Sequence, residues 1–255
     1  MGVIAVTGSA SGIGAAIAAR CRRDGHRVIG IDLDDAEVRA DLATATGRSA
    51  AIVATERACG GALDGVVACA GVGPHVADQA LIVSLNYFGA QQLLEGLRPA
   101  LARAAQPSAV AISSNASTLG NADSPLVAAC LSGDEADARR LASVQEGHSI
   151  YGGSKLALAR WVRRQAPRPE WAGAGIRLNA VAPGAVRTPL LEAGLEDARY
   201  GPAIRAFPIP TGGFGTADDV AAAVAFLLGP EARYCCGSVL FVDGGTDALL
   251  RPDQY

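Results

Sequence analysis

Short β-branched runs alternate along this chain with longer stretches rich in alanine and leucine, and that alternation restricts the fold more than any other feature. Strand followed by helix followed by strand gives parallel pairs joined by crossover helices, hence a parallel sheet covered on both faces. The expected strands are Val3 to Val6, Val28 to Ile31, a short one near Val38 to Ala40, Val66 to Cys69, Val110 to Ser113, Ile176 to Ala180 and Val239 to Val242. Seven strands suit one doubly wound α/β sheet of Rossmann type. The 255 residues contain no internal repeat or low-complexity linker, so a single domain over 1–255 is expected, long enough to bury about three-quarters of its unfolded surface. One stretch, 115–148, parts a strand from its helix by far more than the usual ~2–6 residues and reads as an insert.

The first strand runs into Thr7-Gly8-Ser9-Ala10-Ser11-Gly12-Ile13-Gly14 and an alanine-rich helix. Glycines at Gly8, Gly12 and Gly14 allow a tight turn and close backbone approach, so that amides around Ser11, Gly12 and Ile13 at the helix N-terminus can hold a pyrophosphate. Alone, such a motif would equally suit a turn with no ligand. The second strand adds Asp32, twenty residues after Gly12, where an acid meets an adenosine ribose. A carboxylate there accepts two ribose hydroxyls but repels a 2′-phosphate at roughly 4 Å by about 4 kcal/mol per unit charge at an effective dielectric of ~20. That exceeds one ordinary hydrogen bond of ~0.5–1.5 kcal/mol. The glycine-rich turn has no basic residue, and Asp34, Asp35 and Glu37 add acid after the strand. NAD is therefore expected over NADP.

Lys155 is the only lysine among 22 basic side chains, four residues after Tyr151. Compositional bias explains the arginines but not the lysine that remains. A spacing of i, i+4 puts both side chains on one helix face, and an ammonium, unlike a guanidinium, is a compact donor that can exchange a proton. A tyrosine titrates near ~10, and lowering it by two units takes about 2.7 kcal/mol, which a nearby ammonium can supply. Acid/base work near neutral pH is the expected consequence.

Other chemistries find little support. A net charge of −3 offers no footprint for nucleic acid. No apolar run approaches the ~20 residues of a membrane span. Cys21, Cys59, Cys69, Cys130, Cys235 and Cys236 are scattered without a C-x-x-C pair, as expected of thiols in a reducing, cytoplasmic setting. His26, His75 and His148 show no metal-ligand spacing and accompany no G-x-S-x-G motif, so no metal is expected and the three read as loop or surface residues.

The glycine pattern, Asp32, Cys69-Ala70-Gly71, Asn86, Ser113-Ser114, Tyr151-x-x-x-Lys155 and Pro183-Gly184 followed by Thr188 resemble, in order and from end to end, the short-chain dehydrogenase/reductases. The resemblance implies Tyr151 as general acid/base, Lys155 as its electrostatic partner and a ligand of the nicotinamide ribose, and Ser114 as the group orienting the substrate oxygen. Ser113 competes for that last role, but neighbours on a strand point to opposite faces and the family pattern selects Ser114. By the same resemblance Asn86 holds a water that relays protons toward the lysine. Leu33, Asp41 and Leu42 flank the adenosine, Ala70 and Gly71 border the coenzyme, and Pro183, Gly184, Val186 and Thr188 meet the nicotinamide end. Cys69 stands where most of the family has asparagine, and reads as packing beside the coenzyme and not as a nucleophile.

Ile31-Asp32-Leu33 leading to Ala40-Asp41-Leu42, Asn86-Tyr87-Phe88-Gly89-Ala90, the long insert and the tail Asp243-Gly244-Gly245 with Arg251-Pro252 resemble a bacterial branch of the family acting on 3α-hydroxysteroids and other carbonyls. Residues 184–212, with Leu190, Leu191, Leu195, Ile204 and Phe207, form the expected lid, apolar enough for a hydrophobic ring ketone or secondary alcohol. The expected activity is NAD-dependent interconversion of such an alcohol and ketone, 3α-hydroxysteroid and 3-oxosteroid first. Broad carbonyl reduction or oxidation of another apolar alcohol is the alternative, and a silent NAD sensor a remote one. In the insert, Ser132-Gly133-Asp134-Glu135 matches a capping box opening a helix toward Glu146. An ordered insert would cover the helices after the fourth and fifth strands, leaving a homodimer through the last helix, Ala217 to Leu228, and the final strand.

Overall fold

The computed structural model describes residues 2–119 and 123–254; Gly120, Asn121 and Ala122 of the insert lie outside them. All seven expected strands form: β1 (Val3–Thr7), β2 (Arg27–Asp32), β3 (Val38–Arg39), β4 (Gly65–Ala68), β5 (Ser108–Ile112), β6 (Arg177–Pro183) and, after two short strands, β9 (Val239–Val242). They make one parallel sheet in the order β3-β2-β1-β4-β5-β6-β9. The order reverses between β1 and β4, and a ligand crevice opens beyond the carboxyl ends of strands at such a switch.

Each face has its own core. Helices α1 (Gly12–Arg23) and α10 (Ala217–Leu228) cover one side, where Ile17, Val181, Val220 and Val224 meet. On the other lie α2 (Ala45–Ala58), α3 (Gln79–Val83), a π turn (Ser84–Gly89), α4 (Ala90–Leu101) and α7 (Gly147–Gln165), around Leu93, Leu94, Leu97 and Leu158. Central strands β4 and β5 are buried throughout, which is why they read as continuous apolar runs without alternation. Edge strand β9 keeps Leu240 partly exposed.

Three expectations change. Ser132 does not open the insert helix: it ends α5 (Pro125–Ser132), Gly133 closes that helix at φ 81°, and Asp134 caps α6 (Glu135–Ala142) by accepting from the Asp137 amide at 2.9 Å. The serine and glycine belong to a C-terminal stop, with Asp134 alone as the N-cap, and α6 stops at Ala142, short of Glu146. The lid holds α8 (Pro189–Glu196) and α9 (Gly201–Arg205) and is bracketed by a separate parallel pair, β7 (Val186–Arg187) with β8 (Gly215–Thr216), whose two-residue strands carry no periodicity to read. Helix α10 is not the last, since α11 (Thr246–Leu250) follows β9.

Candidate active site

The glycine-rich turn takes its shape from two constraints. Gly12 has φ 53°, where a side chain is strained. A Cβ on Gly14 would stand 2.0 Å from the Gly8 carbonyl oxygen, so only glycine lets the start of α1 close on the end of β1. Thr7 ties that end to β4 by accepting from the Cys69 and Ala70 amides at 2.9 and 2.8 Å. Asp32 accepts from the Ala10 amide at 2.9 Å and the Leu33 amide at 2.7 Å. The acid thus braces the turn, and each of its oxygens keeps acceptor capacity for a ribose hydroxyl.

Beyond the strand ends lies a cleft of about 990 Å³. Gly8, Ser11, Gly12, Ile13 and Gly14 line one part; Cys69, Ala70 and Gly71 the β4 end; Ser114, Tyr151 and Lys155 the middle; Pro183, Gly184, Val186 and Thr188 the β6 side. Asp32, Leu33, Asp41, Leu42 and Asn86 are not in that wall. Leu33 and Asp41 are exposed past the turn, whereas the Leu42 side chain is buried in the core. Only Leu42's backbone can flank an adenine, which corrects the expectation for that side chain. The residues present fit a dinucleotide: a glycine-built cradle at a helix N-terminus lines the same cleft as the tyrosine and lysine, and Asp32 is tied to that cradle through the Ala10 amide.

Ser114 follows β5 and caps the short turn after it, accepting from the Ala116 amide at 3.2 Å. Its hydroxyl lines the same cleft as the Tyr151 phenol and opposes the rise in that phenol's pKa. Ser113 is committed elsewhere, donating to the Lys155 carbonyl at 2.9 Å. Lys155 donates from Nζ to the Ile112 carbonyl at 2.8 Å and stands 5.9 Å from the centre of the Tyr151 ring. Burial lowers its pKa from 10.5 to about 8. Burial also raises Tyr151 above the usual phenol value, with the Ser114 hydroxyl opposing. The expected depression of the tyrosine by the ammonium is therefore absent from the protein alone: desolvation disfavours the phenolate, and the lysine is drawn to a carbonyl.

Asn86, fully buried in the π turn, accepts from the Val72 amide at 2.9 Å and donates to the Val72 carbonyl at 3.0 Å. Its side chain holds the segment after β4 in place, so its expected service to a relayed water must fit around those two bonds. Cys69 lines the cleft with its pKa raised to about 12 by burial, inert as a nucleophile. His75 and His148, read as bystanders, line the cleft too, as do Leu119, Gln145 and Tyr200. No spacing signal points to these five, because insert, lid and loop meet only in three dimensions.

A Rossmann sheet whose switch-point crevice joins a glycine-built dinucleotide cradle to a buried serine and lysine and a half-buried tyrosine defines a nucleotide-dependent oxidoreductase. The chain belongs to the short-chain dehydrogenase/reductase family: residues 8–247 match the family model described as enoyl-(acyl carrier protein) reductase. It is 46% identical over 259 residues to 3-alpha-hydroxysteroid dehydrogenase/carbonyl reductase of Comamonas testosteroni, covering 100% of both chains. It is 30% identical to 2-(S)-hydroxypropyl-CoM dehydrogenase 3 of Xanthobacter autotrophicus, over 97% of each. Among solved structures, the 3-alpha-hydroxysteroid dehydrogenase of Pseudomonas sp. B-0831 complexed with NADH superposes with a TM-score of 0.97 at 52% identity, covering 99% of this chain and 100% of that one.

Proposed function

We propose that this protein is an NAD-dependent oxidoreductase interconverting a hydrophobic secondary alcohol and its ketone, a 3α-hydroxysteroid and 3-oxosteroid foremost. One observation carries the reading: Ser114, Tyr151 and Lys155 line one cleft that is continuous with the glycine-rich turn. The full-length likeness to a steroid dehydrogenase and to one complexed with NADH supports the substrate and coenzyme. Bound NAD supplies a hydride acceptor. Ser114 and Tyr151 grip the substrate oxygen, and Tyr151 takes the hydroxyl proton in oxidation or returns it in reduction. Lys155 holds the coenzyme ribose and, when charged, favours the phenolate, offsetting the burial that raises it. Asn86 keeps Gly71 and Val72 in position beside that lysine. The adenosine end falls to Asp32, Leu33, Asp41 and the Leu42 backbone, and the nicotinamide end to Pro183, Gly184, Val186 and Thr188.

The substrate half of the cleft is walled by Leu119, Leu190, Leu191, Ile204 and Phe207, which suits a fused-ring skeleton better than a sugar or hydroxy acid. Several of these belong to a lid that buries little, and this favours tolerance of varied carbonyls. The chain acts as one domain with 115–148 as insert and 184–212 as lid. It pairs as a homodimer through α10 and β9, where Phe226 and Leu240 are exposed. Light scattering showing a compact tetramer would count against this pairing. Among the described residues no helix is long and apolar enough to cross a membrane. Six free thiols suit a reducing cytoplasm.

Initial rates of NAD and NADP reduction with androsterone and its 3β epimer, alongside Tyr151→Phe, test the reading. Turnover with NAD and the 3α alcohol, falling by about 10²–10⁴ in the variant, is expected. Tight NADH binding with no steroid turnover would keep the coenzyme and overturn the substrate.

A further inference from the structure

Arg48 is an arginine where none is expected: on the inner face of α2, with 2% of its side chain exposed. A buried guanidinium persists only when its charge is met and most of its donors are paired; here Nε is the one nitrogen without a partner. Nη1 donates to the carbonyls of Leu42 (3.3 Å), Ala43 (3.3 Å) and Ser84 (3.4 Å), and Nη1 and Nη2 grip the two carboxylate oxygens of Glu135 at 3.3 and 2.5 Å. Glu135 opens α6 in the insert, 87 residues away. One turn later Arg139 donates to the Ser84 hydroxyl at 2.6 Å. The contacts converge, since Leu42 follows Asp41 in the adenosine-flanking turn and Ser84 begins the π turn that carries Asn86. These two segments also abut directly: a Cβ on Gly89 would lie 3.0 Å from the Leu42 carbonyl oxygen.

We infer that Glu135, acting through Arg48, is a positioning residue for the coenzyme, and that the insert braces the adenosine site from behind. The carboxylate neutralises the guanidinium and holds it against the Leu42 and Ala43 carbonyls. Without it the guanidinium, itself 2% exposed, has only neutral carbonyls as partners, and the turn 41–44 gives up its fixed shape as Arg48 moves toward solvent. The hydride-transfer end keeps its geometry, because Arg139 still holds Ser84 and Asn86 is fixed by its own two bonds to Val72. This inference rests on the reading that Asp41 and the Leu42 backbone flank the adenine.

The test measures binding of NADH and of ADP-ribose, which lacks the nicotinamide, to Glu135→Gln, Glu135→Asp and Asp41→Ala, with turnover at saturating NAD. In Glu135→Gln both ligands weaken together by about tenfold, about 1.4 kcal/mol, while saturated kcat stays within twofold; Glu135→Asp, which keeps the charge, recovers most of the affinity. ADP-ribose binding as tight in folded Glu135→Gln as in the parent overturns the brace. Unchanged affinity in Asp41→Ala overturns the adenine reading and the brace with it, whereas weakened Asp41→Ala beside unchanged Glu135→Gln overturns the brace alone. A second measurement needs no variant. Coupling is reciprocal, so NADH slows amide exchange across Glu135–Ala142 as well as across 41–48; exchange in Glu135–Ala142 indifferent to NADH overturns the inference.

Discussion

The chain departs from its sheet in two long excursions, the insert at 115–148 and the lid at 184–212, and both reach the same cleft. The insert sinks Leu126, Val127, Cys130, Ala138 and Ala142 into the core beside α3 and α7. The lid's helices have 8 and 5 residues against 8 and 8 in the insert, and of residues 184–212 only Val186, Gly194 and Gly201 are buried, while Leu190 stays 37% exposed. Its contacts with the rest are mainly at the ends: β7 pairs with β8, the Thr211 amide donates to the Gly244 carbonyl at 3.1 Å, and Thr246 Oγ1 donates to the Pro208 carbonyl at 2.7 Å. Buried apolar contact sets local opening free energy, so the insert should open far less readily than 184–212, the segment proposed as lid.

Core truncation separates them most. Leu126→Ala should cost about 2–5 kcal/mol in chemical unfolding, and Leu190→Ala below about 1 kcal/mol while raising the steroid KM. Equal losses in the two variants would erase the distinction. Lys155, on the helix both excursions border, gives a comparable effect through pH. Its folded pKa of about 8 lies below the ordinary 10.5, so between those values the unfolded chain holds a proton the native chain has shed, and stability rises with pH across that window. Relative to Lys155→Met, the parent should gain about 3 kcal/mol between pH 8 and 10.5; a flat difference in urea midpoints would show the lysine is not desolvated.

Gly147 marks where the lid touches α7: an added Cβ would lie 2.2 Å from the Pro74 carbonyl oxygen and 2.9 Å from the Tyr200 hydroxyl. Gly147→Ala is expected to destabilise by about 1–3 kcal/mol and to raise substrate KM more than NAD KM, measured by steady-state kinetics. The smallest effect is one of rate. Trypsin should cut at Arg199 or Arg205 in the lid on the order of tenfold faster than at Arg139 or Arg140 in the insert, read by mass spectrometry of early fragments.

The same contrast shows what was legible in the sequence. The sheet could be read because buried parallel strands are continuous β-branched runs, and the cleft's glycines and the Tyr151/Lys155 pair because local spacing fixes them on one turn or helix face; Ser114 was legible only through the family resemblance. The α5/α6 corner was misread because serine, glycine and aspartate serve stops as well as starts, and local pattern cannot tell which. Arg48 looks like any surface arginine until Glu135 is brought to it from another segment. The tyrosine's acidity turns on desolvation against hydrogen bonding, a balance of burial that no i, i+4 spacing reports.

The β7–β8 pair has a bearing on how such a chain can change over generations. By joining 186–187 to 215–216 it encloses the intervening segment as a loop whose two stems stay put. The entropy of closing a loop grows only slowly with its length, so residues can be added or removed between the stems at little cost to folding. The segment can thus be exchanged as a cassette, and diversification of substrate choice is decoupled from the machinery that moves the hydride.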